Sequence, residues 1–155
     1  MRVGLGFDVH PTDRERPLRL GGVVFADGPG LAGHSDADVV CHAVADALLG
    51  GAAQGDLGHH FPDTDPAVAG IVGLELLGRA VRIVRDAGLV PSSCDLTVIA
   101  DDPPVAPHRE EIRDNLARVL GVDATAVSVK ATRPEGLGLT GDGIGCLAVV
   151  TLTDS

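Results

Sequence analysis

Two segments in the first third of the chain carry residue types that could hold a metal ion. Asp8 and His10 lie two positions apart in an alternating run, so their side chains leave the same face of a predicted strand. His42 lies in a later apolar segment that is typical of a helix. If that helix packs against the strand, one carboxylate and two imidazoles converge. Such a ligand set suits catalytic zinc, with a fourth position open to water or substrate.

Each of these residues also has a purely structural interpretation. Asp8 could close a turn before Pro11, and His42 could be a hydrogen-bonded histidine of the core. Asp38 and Asp46 share a helix face with His42 at intervals of four residues. Either carboxylate could orient the imidazole through its second ring nitrogen, and Asp46 could equally belong to a solvated stripe. Spacing alone leaves these alternatives open.

The apolar periodicity predicts the elements that must position these residues. We expect strands at 1–8, 94–100, 127–132 and 144–152, a hairpin over 17–25, and helices at 37–50, 70–88 and 107–120. Val3, Leu5 and Phe7 alternate as on a half-buried strand face. Ser35 or Asp36 is the expected N-cap of the first helix, where Ser35 with the later carboxylate resembles a capping box.

These elements predict an α+β fold. The strand-helix-strand order over residues 94–132 implies a right-handed crossover and a parallel pair, whereas the hairpin is antiparallel. We therefore expect a mixed β-sheet with helices packed mainly on one face. With 155 residues, of which 45% are hydrophobic, residues 1–155 are expected to form a single domain.

Composition excludes several classes of protein. A net charge of −10 and an aromatic content of 2% argue against a nucleic-acid-binding surface, which needs cationic and stacking side chains. No apolar run is long enough for a membrane span, and no signal peptide is evident. The three cysteines are widely spaced in apolar surroundings, which predicts free thiols and a cytoplasmic location. An acidic protein that handles phosphates needs cations, which metal ions supply.

Asp8 and His10 begin a longer series of motifs in a characteristic order. The series continues with His34-Ser35, Asp38, His42, Gly55-Asp56-Leu57-Gly58 and the loop Phe61-Pro62-Asp63-Thr64-Asp65-Pro66. In order and spacing this series resembles the signatures of the 2-C-methyl-D-erythritol 2,4-cyclodiphosphate synthase family of the non-mevalonate isoprenoid pathway. The resemblance extends from Gly6 to Gly143.

The resemblance implies a homotrimer in which strands face the threefold axis and the active sites lie between subunits. It implies that 4-diphosphocytidyl-2-C-methyl-D-erythritol 2-phosphate is cyclised with loss of CMP. It also implies Zn²⁺ on Asp8, His10 and His42, and Mg²⁺ or Mn²⁺ on Glu135. The implied catalytic residues are His34, Thr132 and Arg133.

The family's substrate-binding positions fall into two groups in this chain. Those that line the methylerythritol and phosphate region, which include two of the metal ligands, are Asp8, His10, His34, Ser35, Asp56, Leu57, Gly58, Phe61, Asp63, Thr64 and Asp65. Those expected near the cytidine and the diphosphate are Ala100, Pro103, Val105, Ala106, Thr132, Arg133, Glu135 and Leu139.

The chain departs from the family pattern at several of these positions. Arg133 stands where the family usually has a threonine, so either Thr132 supplies the hydroxyl or the guanidinium supplies charge directly. Asp142 replaces an arginine and Leu147 a glutamate, and two residues are missing before the last strand. In the family, the positions of Asp142 and Leu147 line a cavity on the threefold axis that accepts isoprenoid diphosphates. We therefore expect binding of these diphosphates to be weak or lost in this chain. Leu139 for phenylalanine is a mild change.

Two other function classes share these residues. A metal-dependent phosphohydrolase would use the same ligands but let water attack, and it would release inorganic phosphate. A trimeric binding module without catalysis would keep the fold while failing to bind zinc tightly. Product identity separates the first class from the synthase, and zinc content separates the second.

Overall fold

A five-stranded mixed sheet organises the chain, which a computed structural model describes from residue 1 to residue 155. The strands are β1 (Arg2–Asp13), β2 (Leu18–Leu20), β3 (Val23–Phe25), β4 (Gly30–Leu31), β5 (Leu89–Ile99), β6 (Val127–Thr132) and β7 (Gly143–Asp154). The helices are α1 (Val39–Gly51), α2 (Leu57–His60), α3 (Gly73–Asp86) and α4 (Arg109–Leu120), with 3₁₀ turns at Pro66–Val68, Ala106–His108 and Ala124–Ala126.

The topology confirms the expected α+β class. The strand order is β4-β1-β7-β5-β6, and β2 pairs with β3 in a separate hairpin. β5 and β6 are parallel and joined through α4, whereas β7 runs antiparallel to both β1 and β5. The hairpin turns at Gly21 and Gly22, whose φ angles of +58° and +77° require residues that tolerate the left-handed region.

Helix α1 lies directly on the backbone of β1. A Cβ added to Gly4 would lie 1.8 Å from the carbonyl oxygen of Ala47, and one added to Gly6 would lie 2.0 Å from that of Ala43. Only glycine permits this approach, because any side chain would occupy the space of the helix backbone. The close contact brings the inward-facing residues of β1 within reach of side chains on α1.

The alternation predicted a half-buried strand, which β1 is, but its larger residues face away from the helices and its buried positions are glycines. Val3, Leu5 and Phe7 are 60%, 64% and 45% exposed. They alternate with the glycines that contact α1, and successive side chains of a strand point to opposite faces. Phe7 pairs with Leu147 of β7, which is also exposed. The chain thus has an open apolar sheet face opposite its helices.

Several predicted boundaries need correction, among them the start of β5, which lies at Leu89 and not at residue 94. β1 does not end before Pro11 but runs to Asp13, because its last two residues pair with Gly30 and Leu31 of β4. The N-cap of α1 is Asp38, whose carboxylate accepts a hydrogen bond from the Cys41 amide at 3.1 Å. The capping box expected from Ser35 is therefore absent.

Asp38 joins the hairpin to α1. Its carboxylate is buried and accepts hydrogen bonds from the amides of Gly21 at 2.8 Å and Gly22 at 2.7 Å. Burial raises the pKa of Asp38, and these backbone donors oppose that rise by stabilising the carboxylate. One side chain thus caps the helix and holds the β2–β3 turn against it.

The core is one continuous cluster of 40 buried residues, in which aliphatic side chains predominate. Cys41, Cys94 and Cys146 are buried and unpaired, as expected. Burial raises the pKa of the Cys94 thiol to about 12, so the thiolate is not populated at neutral pH. None of the helices has the length and apolarity needed to cross a bilayer.

We expect Gly6→Ala to lower the free energy of unfolding by about 3 kcal/mol or more, because the added methyl group would force β1 and α1 apart. Gly50→Ala is the matched control, since a Cβ there meets nothing within 4 Å. The control should be neutral or stabilising by about 0.5–1 kcal/mol, the usual gain of alanine over glycine in a helix. Chemical denaturation measures both. Equal stability of the two variants would contradict the close packing of strand on helix.

Candidate metal centre

The structure brings Asp8, His10 and His42 together as expected. Oδ2 of Asp8 lies 2.8 Å from Nε2 of His10 and 3.1 Å from Nδ1 of His42. The two ring nitrogens are 3.1 Å apart. Asp8 and His10 come from the inward face of β1, and His42 comes from the first turn of α1, where the helix crosses the strand. Three ligand atoms thus converge between two rigid elements.

The remaining nitrogen of each histidine has a partner that orients the ring. Nδ1 of His10 donates to the carbonyl of Ala32 at 2.8 Å, which leaves Nε2 as the nitrogen that faces Asp8. Nε2 of His42 lies 2.9 Å from Oγ of Ser35, and this oxygen accepts from the Ala37 amide. The carbonyl partner fixes the tautomer of His10, whereas the Ser35 hydroxyl fixes the ring orientation of His42 and leaves its Nδ1 facing Asp8, as a metal-ligating histidine requires.

The three side chains fit a zinc ion. With bonds of about 2.0–2.2 Å, neighbouring ligand atoms in a tetrahedral zinc site lie about 3.3–3.6 Å apart. The observed separations of 2.8 and 3.1 Å are a few tenths of an ångström shorter, so small side-chain movements suffice to admit the ion. Two imidazoles and one carboxylate, with a cleft beside them, match the donor set of a catalytic rather than a structural zinc site.

The electrostatics of the triad also favour a cation. Burial disfavours the Asp8 carboxylate, but hydrogen bonds and charge interactions with His10 and His42 outweigh burial and lower the pKa of Asp8 to about 2. Burial likewise opposes protonation of His10, but its bond to Asp8 raises the pKa of this histidine. The carboxylate therefore stays ionised and attracts whichever positive charge, a proton or a metal ion, occupies the site.

Neither helix carboxylate orients His42, so this part of the prediction is wrong. Asp38 is occupied by backbone amides of the hairpin and of its own helix. Oδ1 of Asp46 accepts from the amide of Leu57 at 3.1 Å, which holds α2 against α1 and also excludes the solvated-stripe interpretation. The orienting group is Ser35, which lies before the helix and not on its face.

A cleft of about 210 Å³ opens beside the triad. It is lined by Asp8, His10, Gly33, His34, Ser35, His42, Leu57, Gly58, Phe61, Asp63, Val68, Ile71 and Leu76. Most of the positions expected around methylerythritol are among them. His34 and Asp63 extend into solvent at its rim, with 3.8 Å between Nε2 and Oδ2.

A second cleft, of about 380 Å³, holds most of the positions expected around the cytidine. It is lined by Ala100, Asp101, Asp102, Pro103, Pro104, Val105, Ala106, Arg109, Ala131, Thr132 and Arg133. It shares no lining residue with the first cleft. Within one chain the two groups of predicted binding residues are therefore apart.

Some predicted residues line neither cleft. Asp56 caps α2 by accepting from the His59 amide at 2.9 Å, and Asp65 caps the next 3₁₀ turn. Thr64 is an exposed residue of the loop between them. Glu135 and Leu139 are exposed in the glycine-rich connection between β6 and β7, away from the triad.

Residues without a sequence signal also contribute to the site. Arg16 donates to the backbone of the His34 segment. Val68, Ile71 and Leu76 form part of the apolar wall of the first cleft, and the last two lie in the segment predicted as a helix. Apolar walls follow from tertiary packing, so periodicity could identify them as buried but not as cleft residues.

Asp142, which departs from the family pattern, is bonded to its own chain. The Thr12 amide donates to its carbonyl at 2.8 Å, and the Thr12 hydroxyl lies 3.3 Å from its carboxylate. The glycine-rich connection is thereby fastened to the far end of β1.

Comparisons with known proteins agree with the geometry. The model of the YgbB family matches residues 1–153. The 2-C-methyl-D-erythritol 2,4-cyclodiphosphate synthase of Trichlorobacter lovleyi is 50% identical over 98% of both chains, and that of Salinibacter ruber is 51% identical over the same shares. A solved structure of a synthase of this name in a CDP-bound form is 34% identical, with a TM-score of 0.91 over 98% of this chain and 100% of its own.

We expect Ser35→Ala to weaken zinc binding about 10- to 100-fold, since loss of a residue that orients a metal-bound histidine has effects of this size. Competition with a chromophoric chelator measures the affinity. Ser92→Ala, at an exposed serine of β5, is the control and should bind zinc as the unmodified protein does. An unchanged affinity in a folded Ser35→Ala protein would show that the serine does not support His42.

Proposed function

Because the chain belongs to the YgbB family, we propose that Asp8, His10 and His42 form the metal centre with which it acts as a 2-C-methyl-D-erythritol 2,4-cyclodiphosphate synthase. The enzyme is a lyase of isoprenoid biosynthesis that converts 4-diphosphocytidyl-2-C-methyl-D-erythritol 2-phosphate into the cyclodiphosphate and CMP. The observation that carries the residue assignment is the convergence of three ligand atoms in a cleft that also holds His34.

The reaction is an intramolecular phosphoryl transfer. An oxygen of the 2-phosphate forms a bond to the β-phosphorus, and the bond from that phosphorus to the bridging oxygen breaks, so that CMP leaves with the electron pair. The attacking phosphate is already an anion at neutral pH, and no strong general base is required. The barrier comes from repulsion between phosphates and from the entropy of ring closure, so positioning and charge compensation dominate.

Zinc is the ion we propose for the triad, supported by its donor set and spacing. When bound, it would neutralise phosphate oxygens and hold them in line for the displacement. Asp8 and His10 keep their place through β1, and His42 through α1 and Ser35. A centre of this rigidity needs little reorganisation as charge moves between oxygens.

The other residues expected in this region are assigned to contacts with the phosphates and hydroxyl groups of the substrate. We propose that His34 contacts the phosphate that attacks or is transferred, since its imidazole is solvent-accessible beside the triad. Asp63 at the rim is acidic and therefore suits hydroxyl groups better than phosphates, and the same holds for Asp56 and Asp65, which line neither cleft and cap α2 and the next 3₁₀ turn. The remaining binding assignments in this region are Ser35, Leu57, Gly58, Phe61 and Thr64.

The second cleft is proposed to take the cytidine. Ala100, Pro103, Val105 and Ala106 offer few polar side-chain atoms, so recognition of the base would fall to their backbone groups. The similarity to a synthase structure in a CDP-bound form supports a cytidine diphosphate-linked substrate. A substrate that reaches both clefts needs them side by side, whereas within one chain the two clefts share no lining residue.

We therefore propose a homotrimer with active sites between subunits. The open sheet face supports it: Val3, Leu5, Phe7, Val9, Leu147 and Val149 form an apolar surface on β1 and β7. A contiguous apolar surface of this kind is typical of a protein-protein interface. Burial of this face around a threefold axis would place the strands at the centre and the helices outside.

The end of β6 and the connection that follows it are proposed to approach the diphosphate. The residues assigned to this contact are Thr132, Arg133, Glu135 and Leu139. Arg133 lies in the second cleft, where its guanidinium can donate two hydrogen bonds to phosphate oxygens. Glu135 is the proposed ligand of Mg²⁺ or Mn²⁺. Oxygens of the substrate would complete the coordination of this ion, as is usual for Mg²⁺.

Three wider assignments stay proposals. A single domain over residues 1–155 is supported by the continuous core. A cytoplasmic location is supported by three buried, unpaired thiols. Weak or absent binding of isoprenoid diphosphates at the threefold axis is supported by the Asp142 carboxylate, which would repel an anion.

Phosphorus NMR of the zinc-loaded protein with substrate and Mg²⁺ should show a coupled cyclodiphosphate pair together with CMP. In His42→Ala we expect zinc to be lost and turnover to fall at least about 10³-fold, since the electrostatic centre is removed. His59→Ala changes an exposed histidine of α2 outside both clefts and should retain both properties. Inorganic phosphate as the product would support a phosphohydrolase instead, and an unchanged His42→Ala would refute the triad.

We expect Arg133→Ala to lower kcat about 10²-fold or more, because a cation beside a transferred phosphoryl group is removed. Arg133→Thr, which restores the residue usual in the family, should retain more activity than the alanine variant. Arg82→Ala, at an exposed arginine of α3, is the charge-matched control. Steady-state CMP release measures all three. A full rate of CMP release in Arg133→Ala would contradict the role of Arg133 in stabilising the transition state, and that role would then be assigned to Thr132.

A further inference from the structure

Arg16 joins two backbone carbonyls that flank His34. Its guanidinium donates to the carbonyl oxygen of Gly33 at 2.6 Å and also to that of Ser35. The fork of donors on one planar group matches two acceptors at neighbouring positions, a geometry that a lysine ammonium cannot reproduce. Arg16 is itself held in place, since its carbonyl accepts from the Gly30 amide at 3.0 Å.

The same segment is held from its other side by the loop before α3. The Gly70 amide donates to the carbonyl of His34 at 2.9 Å, and the Asp36 amide donates to the carbonyl of Ile71 at 3.1 Å. The carbonyls of Gly33 and Ser35 thus accept from Arg16, whereas the carbonyl of His34, between them, accepts from the loop. On the side that faces α3, the Asp36 carboxylate also accepts from the Gly73 amide at 2.9 Å, so the carbonyls of Gly33 and Ser35 are the part of the segment that Arg16 holds.

The position of the His34 imidazole depends on this backbone. Its side chain is 67% exposed, and its nearest charged partner, Asp63, is 3.8 Å away and 74% exposed, so packing does little to fix the ring. The preceding residue lies directly against the triad: a Cβ on Gly33 would be 3.2 Å from the ring of His10. A shift of the segment would therefore move His34 relative to the metal centre.

We propose that Arg16 is a positioning residue for the phosphoryl transfer. By bridging the carbonyls of Gly33 and Ser35, Arg16 fixes the position of His34 beside the metal centre. The proposal rests on the role assigned above to His34. The hydrogen bonds of the Arg16 guanidinium go to backbone carbonyls and not to a side chain of the triad, so its effect on His34 passes through the backbone. Displacement of a catalytic group by about 1 Å can cost about 10²-fold in rate, so one such tether matters for turnover.

The first test compares Arg16→Ala with Arg14→Ala, an exposed arginine of the same loop. In the zinc-loaded enzyme, Arg16→Ala should lower kcat about 10- to 100-fold, leave KM within a few-fold and leave the zinc content unchanged. Arg14→Ala should match the unmodified enzyme. Guanidinium ion, at concentrations that do not unfold the protein, should restore part of the kcat of Arg16→Ala, whereas methylammonium should not. Full activity of Arg16→Ala would overturn the proposal.

A double-mutant cycle separates this role from general stability. If Arg16 acts through His34, Arg16→Ala should cost little further kcat in a His34→Ala background. Additive losses would overturn the positioning role of Arg16 while leaving the role of His34 intact. An unchanged kcat in His34→Ala alone would overturn both. Amide hydrogen exchange supplies a readout apart from activity: Asp36 and Gly70 should exchange faster in Arg16→Ala, and amides in the last two turns of α3 should not.

Discussion

The contact between β1 and α1 is the constraint on which the rest of the structure depends. Gly4 and Gly6 bring the helix backbone against the strand, at a separation that no other residue would permit. Because successive strand residues alternate in direction, the positions in line with these glycines are Asp8 and His10. The helix therefore presents His42 to both. The convergence of these three side chains is a direct consequence of a strand that has no side chains where the helix crosses it.

Charge explains why such a centre is needed. The chain carries a net charge of −10 and acts on a substrate with several phosphate oxygens, so favourable binding requires local cations. The triad concentrates one carboxylate, whose pKa is about 2, and two oriented imidazoles at one point. Arg133 supplies a fixed positive charge in the second cleft. An acidic protein can thus handle a polyanion by placing cations only where charge moves.

Polar contacts to the backbone hold the parts of the site that lie outside the regular elements. Asp38 joins the hairpin turn to α1, Asp46 holds α2 against α1, and Arg16 bridges two carbonyls beside His34. In each case a charged group supplies a partner for backbone amides or carbonyls that lie outside the ladders of helix and sheet. Loops rich in glycine and proline gain a defined course in this way, without a large apolar core of their own.

The sequence by itself determined the main strands and helices, the α+β class and the candidate ligands of the triad, because these depend on periodicity and on residue chemistry. The alternation around Asp8 and His10 and the helical pattern around His42 place the three residues on a strand and a helix, and their convergence then required that this helix pack against that strand. Only the tertiary structure decided which face of β1 is open, that Ser35 and not Asp38 or Asp46 orients His42, and that Arg16 holds the His34 segment. These contacts join positions far apart in the chain through single hydrogen bonds or missing side chains, and such contacts leave no periodic pattern.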